Sequence, residues 1–195
     1  MATTATPSGA EPVNTLSASG SFSGKVRHIK IASNYGTAIF YGDFVKLVAS
    51  GTVEKSAVTT AVVAGTVGIF MGCSFTDPTT SQLTFSQHYP ASTVASDIAA
   101  LVCDDPKLLF LMQGDEAIAQ TGLGNNVSAV NTAGSTSIGR SRNALDGGSV
   151  ATTNSLPLRI VDFVDGPNST VGDAFTDCLV TYLPLSHAYE TKLGV

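Results

Sequence analysis

The chain has 195 residues, of which 43% are hydrophobic and only 13% charged, with a formal net charge of −5. That length suits one domain, or one domain with arms, and can bury a sizeable core. A typical soluble domain carries about 25% charged residues, so Ser, Thr, Asn, Gly and Ala must cover much of this surface. The acidic balance, with Lys and Arg scattered, excludes a general nucleic-acid binder, which needs a basic face to displace counterions.

Residues 1–24 are Ala, Thr, Ser, Gly and Pro with a single charge, Glu11. The first twelve, MATTATPSGAEP, lack the basic and apolar regions of a secretory signal and are not read as one. Alone, such a segment cannot offset its ordering entropy. It is expected to be an extended N-terminal arm held by a neighbouring subunit, with Thr3, Thr4, Pro7, Val13, Leu16 and Phe22 as its contact residues.

From Lys25 onward the pattern is that of β-structure, and residues 25–195 are expected to form a single β-rich domain. KVRHIKIA alternates imperfectly. TAIFYGDFVKLVAS reads as a strand pair or one bent strand, with a bulge or turn at Gly42-Asp43. AVVAGTVGIFMGCSF is rich in β-branched residues and ends at the turn Asp77-Pro78. LTFSQHY, IAALVCD and KLLFLMQ follow, each bounded by Pro, Asp or Gly. LPLRIVDFV and TDCLVTYLP close the pattern. Strands at this spacing predict an all-β fold, a small barrel or a sandwich. The one passable helix is Ser92–Ala100, with Ser92 or Thr93 as its cap. Core positions are expected at Phe40, Tyr41, Phe44, Ile69, Phe70, Phe85, Leu101, Phe110, Ile160 and Phe163. The longest apolar stretches are far below the ~18 residues of a membrane span.

Residues 121–155 have few large apolar side chains and are long for a hairpin loop. They are either a flexible Gly/Ser/Asn-rich excursion or an extended surface element packed against a partner. Arg140, Arg142 and Asp146 stand out there as charges in a neutral field. They form intersubunit ion pairs or are simply solvated.

Little in the sequence points to chemistry. Cys73, Cys103 and Cys178 are too widely spaced for a disulfide framework or a Cys-x-x-Cys zinc site, and each sits in an apolar run, as a buried small hydrophobe does. Asp104-Asp105-Pro106 reads as a strand end and a turn. Ser86 and His88 would share a strand face, but no carboxylate is placed behind the histidine, as a nucleophile–base pair requires. His28, His88 and His187 show no ligand spacing and are read as surface or satisfied histidines. Gly122-Leu-Gly124 lacks the rest of a dinucleotide fingerprint, and the sequons at Asn126 and Asn168 are read as chance. No catalytic, cofactor or metal site is expected.

Four phrases, FYGDFVKLVASGTVEK, VGIFMGCSFTDP, TFSQHYPASTVASDIAALVCDDPKLLF and GRSRNALDGGSVATTNSLPLRIVDF, resemble those of small structural proteins of marine and aquatic tailed bacteriophages. They span most of Tyr41 to Val164. The Gly-Asp-x-Val-Lys-Leu turn followed by Gly-Thr-Val also resembles head decoration (cement) proteins of the small-barrel kind. The resemblance implies a β-rich, often trimeric protein on the outer surface of an icosahedral head. It would be made in the bacterial host cytoplasm and would contact the major capsid protein and its own copies, with no direct nucleic acid and no membrane. Deleting residues 2–22 is then expected to leave the domain folded and weaken attachment. Other structural readings are a tail tube, connector or fibre base, or a shell subunit, which would need a long helix. A carbohydrate-binding β-domain is disfavoured by the absence of Trp, and an enzyme would need His88 gathered with Asp104 or Asp105.

Overall fold

The computed structural model of the chain describes residues 4–17, 24–59, 65–184 and 186–190. Its strands are β1 (Glu11–Thr15), β2 (Arg27–Lys30), β3 (Ile39–Phe40), β4 (Phe44–Leu47), β5 (Val53–Lys55), β6 (Thr66–Thr76) and β7 (Leu83–Ser86). They continue with β8 (His88–Tyr89), β9 (Ala99–Cys103), β10 (Leu108–Gln113), β11 (Asn126–Val130), β12 (Ala144–Ala151), β13 (Leu158–Phe163) and β14 (Asp177–Tyr182). The fold is all-β, and its strand pairings are antiparallel. A larger sheet runs β1-β10-β14-β13-β11-β12. A second runs β2-β9-β6-β4-β5, with β7 added to β6, and β3 and β8 form a small third sheet.

Both large sheets curl. In the second, a single bridge, Ile31 to Val53, brings the β2 and β5 ends together. In the first, Gly114 and Leu145 bridge the β10 and β12 ends. Neither closes into a barrel, and the arrangement is sandwich-like. The curled second sheet holds its own core of Val45, Val67, Phe70, Phe75, Val102 and Tyr89. A separate core lies against the first sheet and joins Phe110, Val127, Leu145, Leu158, Ile160 and Tyr182 to Phe44 and Ile69 of the second. The rings of Phe44 and Phe110 meet edge-on at 5.7 Å and those of Phe44 and Tyr182 at 6.1 Å. The sequence explains this split. Phe44 and Val45 alternate on a strand, so one faces each core.

Three expectations change here. The stretch Ser92–Ala100 is not a helix. Ser92 has φ of 61°, a left-handed conformation that ends helical continuity, and the chain enters β9 at Ala99. The weak helix propensity of its β-branched residues gave way to pairing with β6. Residues 121–155 are not merely an excursion, because β11 and β12 join the larger sheet and bury Val127, Ala129 and Leu145. Small residues are used there as close-packed strands rather than as loop. Phe85, expected in the core, is 75% exposed. Period two sets the side-chain alternation but not which face turns inward; here Thr84 and Ser86 lie opposite the buried Phe75 and Cys73, which turns Phe85 outward. Of the other core positions, Phe40, Phe44, Ile69, Phe70, Phe110 and Ile160 are buried, and Tyr41, Leu101 and Phe163 are half-buried.

Candidate interaction surface

The arm is anchored by a polar hub. Asp43 is fully buried. Its carboxylate accepts hydrogen bonds from the Phe40 N–H at 2.9 Å, the Ser141 hydroxyl at 2.6 Å and the Asn143 amide at 3.1 Å, and pairs with Lys55 Nζ at 2.8 Å. A buried charge must be neutralised and fully hydrogen-bonded to be tolerated, and this one is. Gly42 takes φ of 88° in the turn before it, as the mid-run glycine predicted. The hub thereby joins the FYGDF turn to residues 140–143.

The arm threads between the two. The Gly9 N–H donates to the Asn143 carbonyl at 3.2 Å and the Ala10 N–H to the Gly42 carbonyl at 2.9 Å. A Cβ on Gly9 would lie 2.6 Å from both the Gly42 oxygen and Ser141 Cβ, so the socket admits only glycine. Beyond it β1 pairs with β10 of the same chain, from Glu11↔Leu111 to Thr15↔Leu108. The expectation that a neighbouring subunit orders the arm is therefore corrected: residues 9–15 are held in cis. The composition of the arm concealed this because its contacts are mostly main-chain hydrogen bonds, which any residue but proline can make.

The interaction residues expected from sequence divide. Pro7, Arg140 and Arg142 come together with Ala5, Thr6 and Ile138 around one shallow groove of about 430 Å³. Arg140 lies over the Tyr41 ring at 5.2 Å and 3.5 Å from Glu11, so it pairs within the chain, while Arg142 is exposed. Thr4 is exposed at the start of the described chain. Val13 of β1 and Leu16 just after it are 48% and 49% exposed. Thr3 and Phe22 lie outside the described residues. Asp146 accepts the Ser128 hydroxyl and clusters with Asp115 and Glu116, their nearest oxygens within 4.8 Å of one another. Asp115 accepts the Gly147 N–H. Both aspartates thus have protein donors, and three carboxylates at the surface do not by themselves define a metal site.

A second surface was not anticipated. Leu83 and Phe85 project from β7, 62% and 75% exposed, and Val94 is 60% exposed. Exposed strand edges are usually blunted by charge, proline, glycine or bulges. Here β1 has Pro12 and a register shift, β2 has Arg27, His28 and Lys30, β5 has Glu54 and Lys55, and β12 has Asp146, Gly147 and Gly148. Among the described residues β7 pairs with β6 alone, and its LTFS carries none of these devices. The sequence signal was available in that absence of charge.

The residues weighed for chemistry are occupied elsewhere. The Ser86 hydroxyl donates to the His88 carbonyl at 2.6 Å, and the His88 imidazole stacks on Phe40 at 5.5 Å. Asp104 holds Arg27 Nε at 2.8 Å and the Tyr189 hydroxyl at 3.0 Å. Asp105 accepts the Lys107 N–H at 2.8 Å, a turn contact as Asp-Asp-Pro predicted. Neither is gathered with His88 into a nucleophile–base arrangement. Cys73, Cys103 and Cys178 are buried and unpaired, and burial pushes their thiols up to about 12, 11 and 12. Asn126 is buried, donating to the Thr153 carbonyl and accepting from Arg159, and so is no acceptor for a glycan. His28 is exposed, but His187 is fully buried, and among the described residues its Nε2 has no partner in full hydrogen-bond geometry, with the Val67 carbonyl facing the ring. No protein-family model, curated protein or solved structure matches the chain.

Proposed function

We propose that the chain is a structural protein of a tailed-bacteriophage virion, bound as a homotrimer to the outer surface of the icosahedral head, where it contacts the major capsid protein and stabilises the shell. Such a protein adds buried area between subunits and needs no reaction. Many copies multiply a modest interface by avidity.

The observation that carries this reading is the convergence of the resembling phrases. FYGDF and GRSRN, about a hundred residues apart, meet at Asp43, Ser141 and Asn143 and together grip the arm. On its outer side the GRSRN segment meets the arm at the Pro7–Arg140–Arg142 groove. With residues 9–15 held in cis, candidate surfaces for shell and neighbour among the described residues are that groove and the exposed β7 side chains Leu83 and Phe85. Exposed apolar side chains on an unprotected strand are a usual mark of a protein contact.

The test is copy number. Particles containing the chain are purified and it is quantified by mass spectrometry against the major shell subunit. A ratio near one to one supports lattice decoration. A ratio of a few per cent moves the protein to the tail tube, connector or fibre base.

A further inference from the structure

After β14 the chain returns over the start of β6 as a short strap, residues 186–190. The Ala188 N–H donates to the Thr66 carbonyl at 2.6 Å, and the Glu190 N–H to the His187 carbonyl at 3.0 Å. Outside, the Tyr189 hydroxyl donates to Asp104, Arg27 lies over the Tyr189 ring at 5.3 Å, and Glu190 pairs with Lys107 at 2.8 Å. At its centre the fully buried His187 ring sits edge-on between Tyr182, at 5.2 Å, and Tyr189, at 5.1 Å.

Two features make this strap unusual. First, His187 Nδ1 accepts the Tyr189 N–H at 3.3 Å, so that nitrogen carries no proton in the docked state. Secondly, the buried side-chain polar atoms without a partner among the described residues are Tyr182 Oη, Ser186 Oγ, His187 Nε2 and Glu190 Oε2. All four fall between Tyr182 and Glu190. Unpaired buried polar atoms disfavour the docked state.

We propose that the strap is an acid-released latch: protonation of His187 at Nδ1 removes the acceptor for the Tyr189 N–H and places a cation in a closed site, so that residues 186–190 lift from β6. Among the described residues, the strap supplies Tyr189 and Glu190 around the ring, β14 supplies Tyr182, which in turn feels Cys103 of β9, and the turn after β9 supplies Asp104 and Asp105; β6 presents backbone at Thr66 and Val67. Asp104 is engaged by Arg27 and Glu190 by Lys107. Burial pushes the imidazole down from its ordinary 6.5, and this outweighs the Val67 carbonyl and the carboxylates, which pull it up. The released histidine therefore holds its proton more tightly than the docked one. Docking is at full strength above pH 6.5 and weakens as pH falls toward the docked pKa, by up to about tenfold in population per pH unit.

The test is nuclear magnetic resonance on the whole chain between pH 8 and 5. The His187 imidazole should titrate below its ordinary 6.5. Protection of the Ala188 and Tyr189 amides, corrected for intrinsic exchange, should fall at least tenfold as pH drops below 6.5, while amides in the middle of β6 and β9 stay protected. Equal protection at pH 8 and pH 5, or a His187 midpoint at or above 6.5, overturns the proposal. The His187→Gln variant should make strap protection independent of pH; a surviving pH dependence also overturns it. If that variant does not fold, the wild-type titration alone decides.

Discussion

Asp43 and Ser141 stand ninety-eight positions apart and share a 2.6 Å hydrogen bond in which the hydroxyl donates to the carboxylate. With Lys55 and Asn143 around the same buried group, this contact ties the second sheet to the chain between β11 and β12. Removing the acid leaves the mostly covered Lys55 without its counter-charge. Asp43→Ala should therefore cost about 3–5 kcal/mol. Ser141→Ala should cost less, about 1–3 kcal/mol. A double-mutant cycle by urea unfolding should return a coupling of at least ~0.5 kcal/mol; additive losses would mean that the two side chains act independently.

Gly9 tests the arm socket. Its φ is 78° and a Cβ would strike Gly42 and Ser141. Gly9→Ala should release the arm, with lost hydrogen-exchange protection at Ala10 and Leu16 and little change in β6 or β14. Gly24 is the control. It also has positive φ, but a Cβ there meets nothing within 4 Å, so Gly24→Ala should cost only the left-handed penalty of about 1–2 kcal/mol.

The arm deletion must be split in two. Removing residues 2–22 would take away β1 and uncover the β10 edge, so it should lower stability as well as attachment, measured by thermal unfolding and by capsid occupancy. Removing residues 2–8 leaves Gly9, Ala10 and β1 in place. That shorter deletion should retain stability and isolate the contribution of the outer arm to attachment.

Phe85 separates surface from core. Because it is 75% exposed, Phe85→Asp should change stability by no more than about 0.5 kcal/mol while lowering occupancy on capsids. Unchanged occupancy would remove the β7 edge from the shell contact. Phe70→Ala, at a fully buried position, should instead cost about 3–5 kcal/mol.

The three thiols should resist alkylation at pH 8 in the folded protein, since burial holds them protonated and shielded. In denaturant all three should react, and mass spectrometry would count the adducts. Rapid modification of Cys103 in native buffer would mean that the strand end beside Asp104 opens.

The strands carried the clearest sequence signals. The turns at Gly42-Asp43, Asp77-Pro78 and Asp105-Pro106 lie where glycine, proline and aspartate predicted them, because backbone conformation at those residues is a local property. What could not be read depended on distant partners. The docking of β1 rests on main-chain groups, which leave no trace in composition. The inward turn of Thr84 and Ser86 was set by β6 rather than by β7 itself. Pro7, Arg140 and Arg142 were chosen as exceptions in neutral segments, and the structure brings them to one groove; Asp146, chosen on the same ground, sits instead with Asp115 and Glu116. The hub at Asp43 was hidden because an Asp after Gly reads as a turn and gives no hint of four partners.

The Gly9 socket also sets an order of events during synthesis. The arm leaves the ribosome before the segments that hold it, and Asn143, which receives the Gly9 N–H, is made more than a hundred residues later. At roughly 5–20 residues per second, the arm waits on the order of ten seconds with its strand-forming groups unpaired. Its near-neutral, Ser/Thr-rich sequence suits that interval, because a more apolar segment would be free to aggregate with other nascent chains before its own sheet exists.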